Sequence, residues 1–60
     1  MKVSRQVPNQ EALNFYNSVE EFVGFEAAGR MEEKEGDFYT TFTLNCESQE
    51  QADKFESLNF

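Results

Sequence analysis

The sequence predicts one small α+β domain, residues 1–60, with its elements in the order β-α-β-β-α. Three observations support this prediction. Asp37–Cys46 alternates its side chains with the period of a strand and is rich in β-branched and aromatic residues. Two other stretches repeat apolar residues at helical spacing. Seven Phe and two Tyr in 60 residues are sufficient for an ordered core despite the high charge.

The first part of the chain is predicted to form a strand followed by a helix. Met1–Val7 alternates in the manner of a short strand, and Pro8 ends it. Asn9 is a suitable N-cap for the helix that begins after it. Gly24 is typical of a helix C-terminus. The apolar stripe of this helix comprises Ala12, Leu13, Phe15, Tyr16, Val19, Phe22 and Val23.

The segment Phe25–Lys34 admits two interpretations. Apolar and polar residues alternate through it, which favours a strand joined to Asp37–Cys46 by a tight turn at Glu35-Gly36. Its two adjacent alanines are poor strand formers and favour a continuation of the first helix. We adopt the hairpin, because it gives both strands an apolar face. The apolar positions of the segment are Phe25, Ala27, Gly29 and Met31.

The C-terminal part is predicted to be a second helix. Ser48, with Gln51 three residues later, matches a capping box, and the buried stripe would be Ala52, Phe55 and Leu58. The sheet is predicted to be three-stranded with order 1-3-2, which resembles the ferredoxin-like pattern lacking the last strand. Both helices would cover one face, formed by Phe38, Thr40, Phe42, Leu44 and Cys46.

The charge balance bears on the partners that the chain can bind. Twelve acids and five cations give a net charge of −7. Nucleic acids and anionic membrane surfaces would repel such a chain, whereas a basic protein surface would attract it. No apolar stretch is long enough to span a bilayer, and the N-terminus does not have the pattern of a signal peptide. A single cysteine excludes an internal disulfide and favours a cytoplasmic location.

The sequence offers little for catalysis. It has no histidine, no glycine-rich phosphate loop and no nucleophile with a recognisable base. We therefore expect no enzyme activity, no metal site and no cofactor. Cys46 lies on the predicted buried face, where a free thiol is most often core filler.

The distribution of acids is the most informative functional feature. Seven acids between Glu20 and Asp37 face only Arg30 and Lys34, a net charge of −5. We expect a small acidic protein-binding module, an inhibitor or regulator that docks on the basic surface of a larger protein, which could be a nucleic-acid-binding site. Small accessory proteins of phages are comparable in size and charge. The candidate partner-binding residues are Glu20, Glu21, Glu32, Glu33, Glu35 and Asp37.

An alternative function uses the opposite face of the sheet. That face would present Tyr39, Thr41 and Thr43 to solvent or to a partner. The chain would then be a homodimeric domain that binds a small ligand, or an accessory subunit of a complex. The first hypothesis is compatible with a monomer, and this one requires a second chain.

Overall fold

The computed structural model describes all 60 residues and confirms the α+β class. A short 3₁₀ turn, Asn9–Glu11, joins the first strand to the first helix. In chain order the elements are β1 (Lys2–Pro8), α1 (Ala12–Phe22), α2 (Phe25–Arg30), β2 (Glu32–Glu35), β3 (Tyr39–Asn45) and α3 (Gln49–Ser57).

The sheet has the order β1-β3-β2, as the sequence predicts. Both outer strands are antiparallel to β3, so β1 and β2 are parallel to each other. β1 pairs along its whole length, from Lys2 opposite Asn45 to Pro8 opposite Tyr39. β2 pairs only from Glu32 opposite Thr43 to Glu35 opposite Thr40. The richness of β3 in sheet-forming residues thus reflects its central position.

The core is built around three phenylalanines from α1, β3 and α3. The ring centroid of Phe15 lies 4.9 Å from that of Phe42 and 5.6 Å from that of Phe55, and all three side chains are fully buried. Alternate residues of β3 point towards the helices, so the opposite face of the sheet is left open. Cys46 is buried at the end of this strand, as expected.

The predicted strand Phe25–Lys34 is wrong in its first part. Phe25–Arg30 is a helix, and only Glu32–Glu35 is a strand. Gly24 has φ +145°, a conformation that ends α1 and lets α2 start in a new direction. Ala27 and Ala28 are both buried, which a helix allows for adjacent residues and a half-buried strand does not.

Four apolar residues predicted to face the core are exposed instead. The buried line of α1 passes through Phe15 and Val19, and both Leu13 and Phe22 lie off it. Phe25 belongs to α2, and Phe38 precedes β3, so neither lies on the predicted sheet face. Three buried Phe rings already fill the centre of this short chain. The exposed fractions are 71% for Leu13, 59% for Phe22, 77% for Phe25 and 78% for Phe38.

Both ends of α3 are capped by polar side chains. Ser48 accepts a hydrogen bond from the Gln51 backbone N–H at 3.1 Å, as predicted. The Gln51 side chain accepts from the N–H of Glu47, one residue before the expected partner. At the other end the Arg5 guanidinium donates to the carbonyl oxygens of Phe55, Glu56 and Leu58 at 2.8, 2.9 and 2.7 Å.

Candidate functional site

The short edge strand β2 carries three of the six predicted partner-binding acids. Glu33 lies opposite Phe42 and Glu35 opposite Thr40, so these two side chains are on the helix side of the sheet. Glu32 lies opposite Thr43, on the open face. All three are exposed. A partner approaching this edge would therefore meet carboxylates on both faces. We call Glu32, Glu33, Glu35 and Asp37 the hairpin acids.

The turn that contains Asp37 is fixed by Asn9. The Asn9 side-chain amide donates to the carbonyl oxygens of Gly36 at 2.9 Å and Asp37 at 3.1 Å. The Asn9 backbone N–H donates to the Phe38 carbonyl oxygen at 3.0 Å. The backbone of the turn is consequently held in place, while the Asp37 and Phe38 side chains remain exposed. Asn9 thus anchors this turn and makes no helix-capping bond through its side chain.

Glu20 and Glu21, the helix-end acids, lie on a different element. They belong to the last turn of α1, where Glu21 is exposed and Glu20 is half-buried. No group of three or more acidic, cysteine or histidine side chains converges closely enough to hold a metal ion. The structure therefore places the hairpin acids on β2 and the turn after it, and the helix-end acids on α1.

None of the six predicted partner-binding carboxylates is paired within the chain. The three ion pairs are Arg30 with Glu26 at 2.6 Å, Arg30 with Glu47 at 3.6 Å and Lys54 with Glu50 at 3.5 Å. Arg5 is occupied by the α3 carbonyl oxygens. The chain thus uses three of its five cations at other positions, and no ion pair involves the predicted acids.

Exposed aromatic side chains lie next to these acids. Phe38 directly follows Asp37 in the turn, Phe22 directly follows Glu21 in α1, and Phe25 begins α2. Aromatic residues are enriched in the cores of protein interfaces, and charged residues are common at their rims. Phe38, directly after Asp37, is therefore the exposed ring that accompanies the hairpin acids, whereas Phe22 and Phe25 lie at the other end of α1.

A shallow groove of about 410 Å³ lies between the ends of α1 and α3. Phe22 and Leu58 supply its apolar lining, and its polar lining comes from Lys54, Ser57 and Asn59. Phe60 does not line the groove and packs on the core, with its ring centroid 5.4 Å from that of Phe15. The groove includes none of the predicted partner-binding acids.

The open face of the sheet is polar and has no pocket. Tyr39 is exposed, and Thr41 and Thr43 are half-buried along β3. The Thr43 hydroxyl is 2.8 Å from that of Ser4 on β1. The register places Lys34 opposite Thr41, so the face is less acidic than the β2 edge. The structure does bring the three alternative site residues into one row.

Cys46 is the one nucleophilic side chain of interest for chemistry. Its thiol lies 3.7 Å from the Leu44 carbonyl oxygen. Burial raises the pKa of Cys46, although the N-terminus and Arg30 lower it to a smaller extent. The thiol is therefore protonated and sheltered, which suits a packing role.

The sequence analysis missed the structural roles of Asn9, Arg5 and Arg30. Each connects elements that are distant in the chain: Arg30, for example, donates to the Asn45 carbonyl oxygen at 2.7 Å as well as pairing with Glu26. The four-residue spacing of Glu26 and Arg30 was a helix signal available in the sequence. The partners of Asn9 and Arg5 depend on the tertiary fold.

None of the three helices is long and apolar enough to cross a membrane. Comparison of the chain with protein-family models, curated proteins and solved structures gives no significant match.

Proposed function

We propose that this chain is a small acidic protein-binding module, and that it inhibits or regulates a larger protein by docking on a basic surface. The observation that carries the proposal is that Glu32, Glu33 and Glu35 on β2 and Asp37 in the following turn form no ion pair within the chain, although Lys34 lies among them. A folded chain gains little from such an arrangement, because close like charges repel each other. A basic partner would turn this repulsion into attraction.

The rigidity of the hairpin supports the same proposal. Asn9 fixes the turn, and β3 holds every residue of β2 in register. The carboxylates are therefore presented on an ordered backbone, so binding does not have to order that segment first. Phe38, exposed beside Asp37, supplies an aromatic ring that a partner can bury.

A nucleic-acid-binding cleft is the specific target that we propose, because its basic surface would fit a row of carboxylates. Glu33 and Glu35 point to the same side of β2, so two negative charges follow one another along one side of the strand. Phosphates likewise form a row of negative charges along each strand of a nucleic acid. In this proposal the carboxylates occupy the places of phosphates in a cleft lined by Lys and Arg, and the chain excludes the nucleic acid.

The test is capture of partners from native cell extract on three immobilised forms of the chain. The forms are the wild type, a hairpin variant (Glu32→Gln, Glu33→Gln, Glu35→Gln) and a control variant (Glu50→Gln, Asp53→Asn, Glu56→Gln) with the same net charge as the hairpin variant. We expect the wild type and the control to retain one protein that high salt releases, and the hairpin variant to lose it. Equal capture on all three forms would exclude the β2 edge as the docking site.

A competition experiment tests the specific target. Duplex DNA should displace the wild-type chain from the captured protein, because both ligands would occupy one basic site. If the partner binds DNA and the chain together, the carboxylates do not stand in for phosphates, although docking on another basic surface remains supported.

A further inference from the structure

The two edges of the sheet differ in a way that bears on self-association. β2 is short and has four exposed residues, of which three are acidic and one is Lys34. Short, charged edge strands are a common protection against pairing with another chain.

β1 is seven residues long, and its outer side has no neighbour in the sheet. Its charged residues are Lys2, at one end, and Arg5, whose guanidinium is turned onto α3. The β1 edge is therefore longer than the β2 edge, and its outward-facing residues between Lys2 and Pro8, which are Ser4 and Gln6, carry no charge.

The hydrogen-bond pattern shows which backbone groups of β1 face outwards. The N–H of Cys46 donates to the Met1 carbonyl oxygen at 2.6 Å, and the N–H of Asn9 donates to the Phe38 carbonyl oxygen at 3.0 Å. Residues of an antiparallel strand alternate between bonding to the partner strand and facing away from it. Odd-numbered residues of β1 thus bond to β3. The even-numbered residues Lys2, Ser4, Gln6 and Pro8 direct their backbone groups outwards.

We propose that a second copy of this chain pairs with the β1 edge in an antiparallel, two-fold arrangement centred on Arg5. In this register Lys2 lies opposite Pro8 of the second copy, and Ser4 lies opposite Gln6. In this register the outward N–H groups of Lys2, Ser4 and Gln6 each donate to a backbone carbonyl oxygen of the second copy. Pro8 has no N–H to satisfy, and its carbonyl oxygen accepts from Lys2.

The side chains favour this register over the one centred on Ser4. With Arg5 at the centre, Val3 lies opposite Val7 of the second copy on the helix side of the sheet, giving two apolar cross-strand pairs. With Ser4 at the centre, Val3 would lie opposite Arg5, and fewer residues would overlap. The two Arg5 residues meet at the two-fold axis, but each guanidinium is already bound by the carbonyl end of its own α3.

The charge distribution is compatible with a second copy at this edge. Residues 1–19 have a net charge of +1, from Lys2 and Arg5 against Glu11. The paired sheet would have the order β2-β3-β1-β1-β3-β2, which places the two β2 edges about 24 Å apart. This distance is about three Debye lengths at physiological salt, so their repulsion is largely screened. The hairpin acids would remain free for the proposed partner.

Sedimentation of the purified chain from about 1 μM to about 1 mM tests the pairing. We expect a concentration-dependent shift from the mass of one chain to twice that mass. Because each copy has a charge of −7, raising the salt from about 50 to about 500 mM should strengthen the dimer. Docking on a basic partner has the opposite salt dependence, so failure of either proposal can be distinguished from failure of the other. A single-chain mass at the highest concentration and salt would overturn the pairing.

A matched pair of variants locates the interface. Gln6→Pro removes an outward N–H and places a ring at the edge without removing a bond to β3, and we expect it to raise the dimer dissociation constant at least tenfold. Gln6→Ala keeps the N–H and should dimerise like the wild type. Equal dimerisation of the proline and alanine variants would overturn the proposal.

Hydrogen exchange in the wild type provides a test that needs no variant. The amides of Lys2, Ser4 and Gln6 should become protected as the concentration rises. The Glu33 and Glu35 amides serve as an internal control, because the bond from the Gly36 N–H to Tyr39 places them on the outer side of β2. Protection of Glu33 and Glu35 in place of the β1 amides would show that the wrong edge has been assigned.

Discussion

The buried Thr40 hydroxyl donates a hydrogen bond to the Asn9 side-chain oxygen at 2.8 Å. Thr40 is the one buried polar residue of the chain, and the side-chain nitrogen of Asn9 holds the acidic turn through Gly36 and Asp37. One amide therefore satisfies a polar group in the core and fixes the loop that carries part of the candidate site. Stability and presentation of the acids are coupled through this pair.

Asn9→Ala should lower the free energy of unfolding by about 2–3 kcal/mol, because a buried hydroxyl loses its partner and the turn loses two further bonds. In a Thr40→Val background the same change should cost about 1 kcal/mol less, since no hydroxyl is left unsatisfied. Urea unfolding of the two single variants and the double variant measures both values. Strictly additive effects would show that the Thr40–Asn9 bond does not contribute as described.

Arg5→Ala should cost about 2–3 kcal/mol of unfolding free energy. The guanidinium donates to three carbonyl oxygens at the C-terminus of α3 and lies 5.5 Å from the centre of the Phe15 ring. Arg5→Lys should recover only part of the loss, because an ammonium group cannot reproduce the planar fork. Lys2→Ala, a change of the same charge on the same strand, should alter stability by less than about 0.5 kcal/mol. A similar effect of the Lys2 and Arg5 changes would mean that only charge matters.

The raised pKa of Cys46 predicts a loss of stability at alkaline pH. Burial favours the neutral thiol, so above the ordinary thiol pKa of about 8.5 the unfolded chain loses a proton that the folded chain keeps. The slope of unfolding free energy against pH is therefore negative, and the contribution of Cys46 is fully present below that pKa and falls as the pH rises.

Comparison with Cys46→Ala isolates this effect. The difference in unfolding free energy between wild type and variant should be constant up to about pH 8. By about pH 10 the unfolding free energy of the wild type should have fallen relative to that of the variant. Other titrating groups are common to both chains and cancel. A difference that does not change with pH would indicate that the folded state does not hold the thiol proton more tightly.

Much of the fold was predictable because local signals agreed with tertiary structure. β3 alternates over its whole length, and the Ser48 cap together with the Ala52 and Phe55 spacing marks α3. The segment Phe25–Arg30 was mispredicted because six residues give too few periods to separate alternation from a helix. The exposure of Phe22, Phe25 and Phe38 was not predictable, since hydrophobicity alone does not tell which rings a small core can accommodate.

The candidate acids were identifiable from sequence, but their grouping was not. Charge counting put Glu20 and Glu21 with the hairpin acids because all lie in one stretch of chain. The fold places the two sets on α1 and on the β2 edge. That these acids form no ion pair depends partly on where Arg5, Arg30 and Lys54 bind, which only the tertiary structure shows.

Neutralising Glu32, Glu33 and Glu35 should weaken partner binding by about 1–3 kcal/mol, at roughly the energy of an exposed ion pair per charge. It should leave the unfolding free energy unchanged or slightly higher, because none of these acids has a partner within the chain. The control variant on α3 should bind like the wild type, although it has the same net charge.

The most direct test of partner docking is the slope of binding affinity against salt concentration, measured with the purified partner for these three forms. We predict a steep loss of affinity with salt for the wild type and the α3 control, and a weaker, flatter dependence for the hairpin variant. Equal affinities and equal slopes for all three forms would contradict the assignment of this edge as the docking surface.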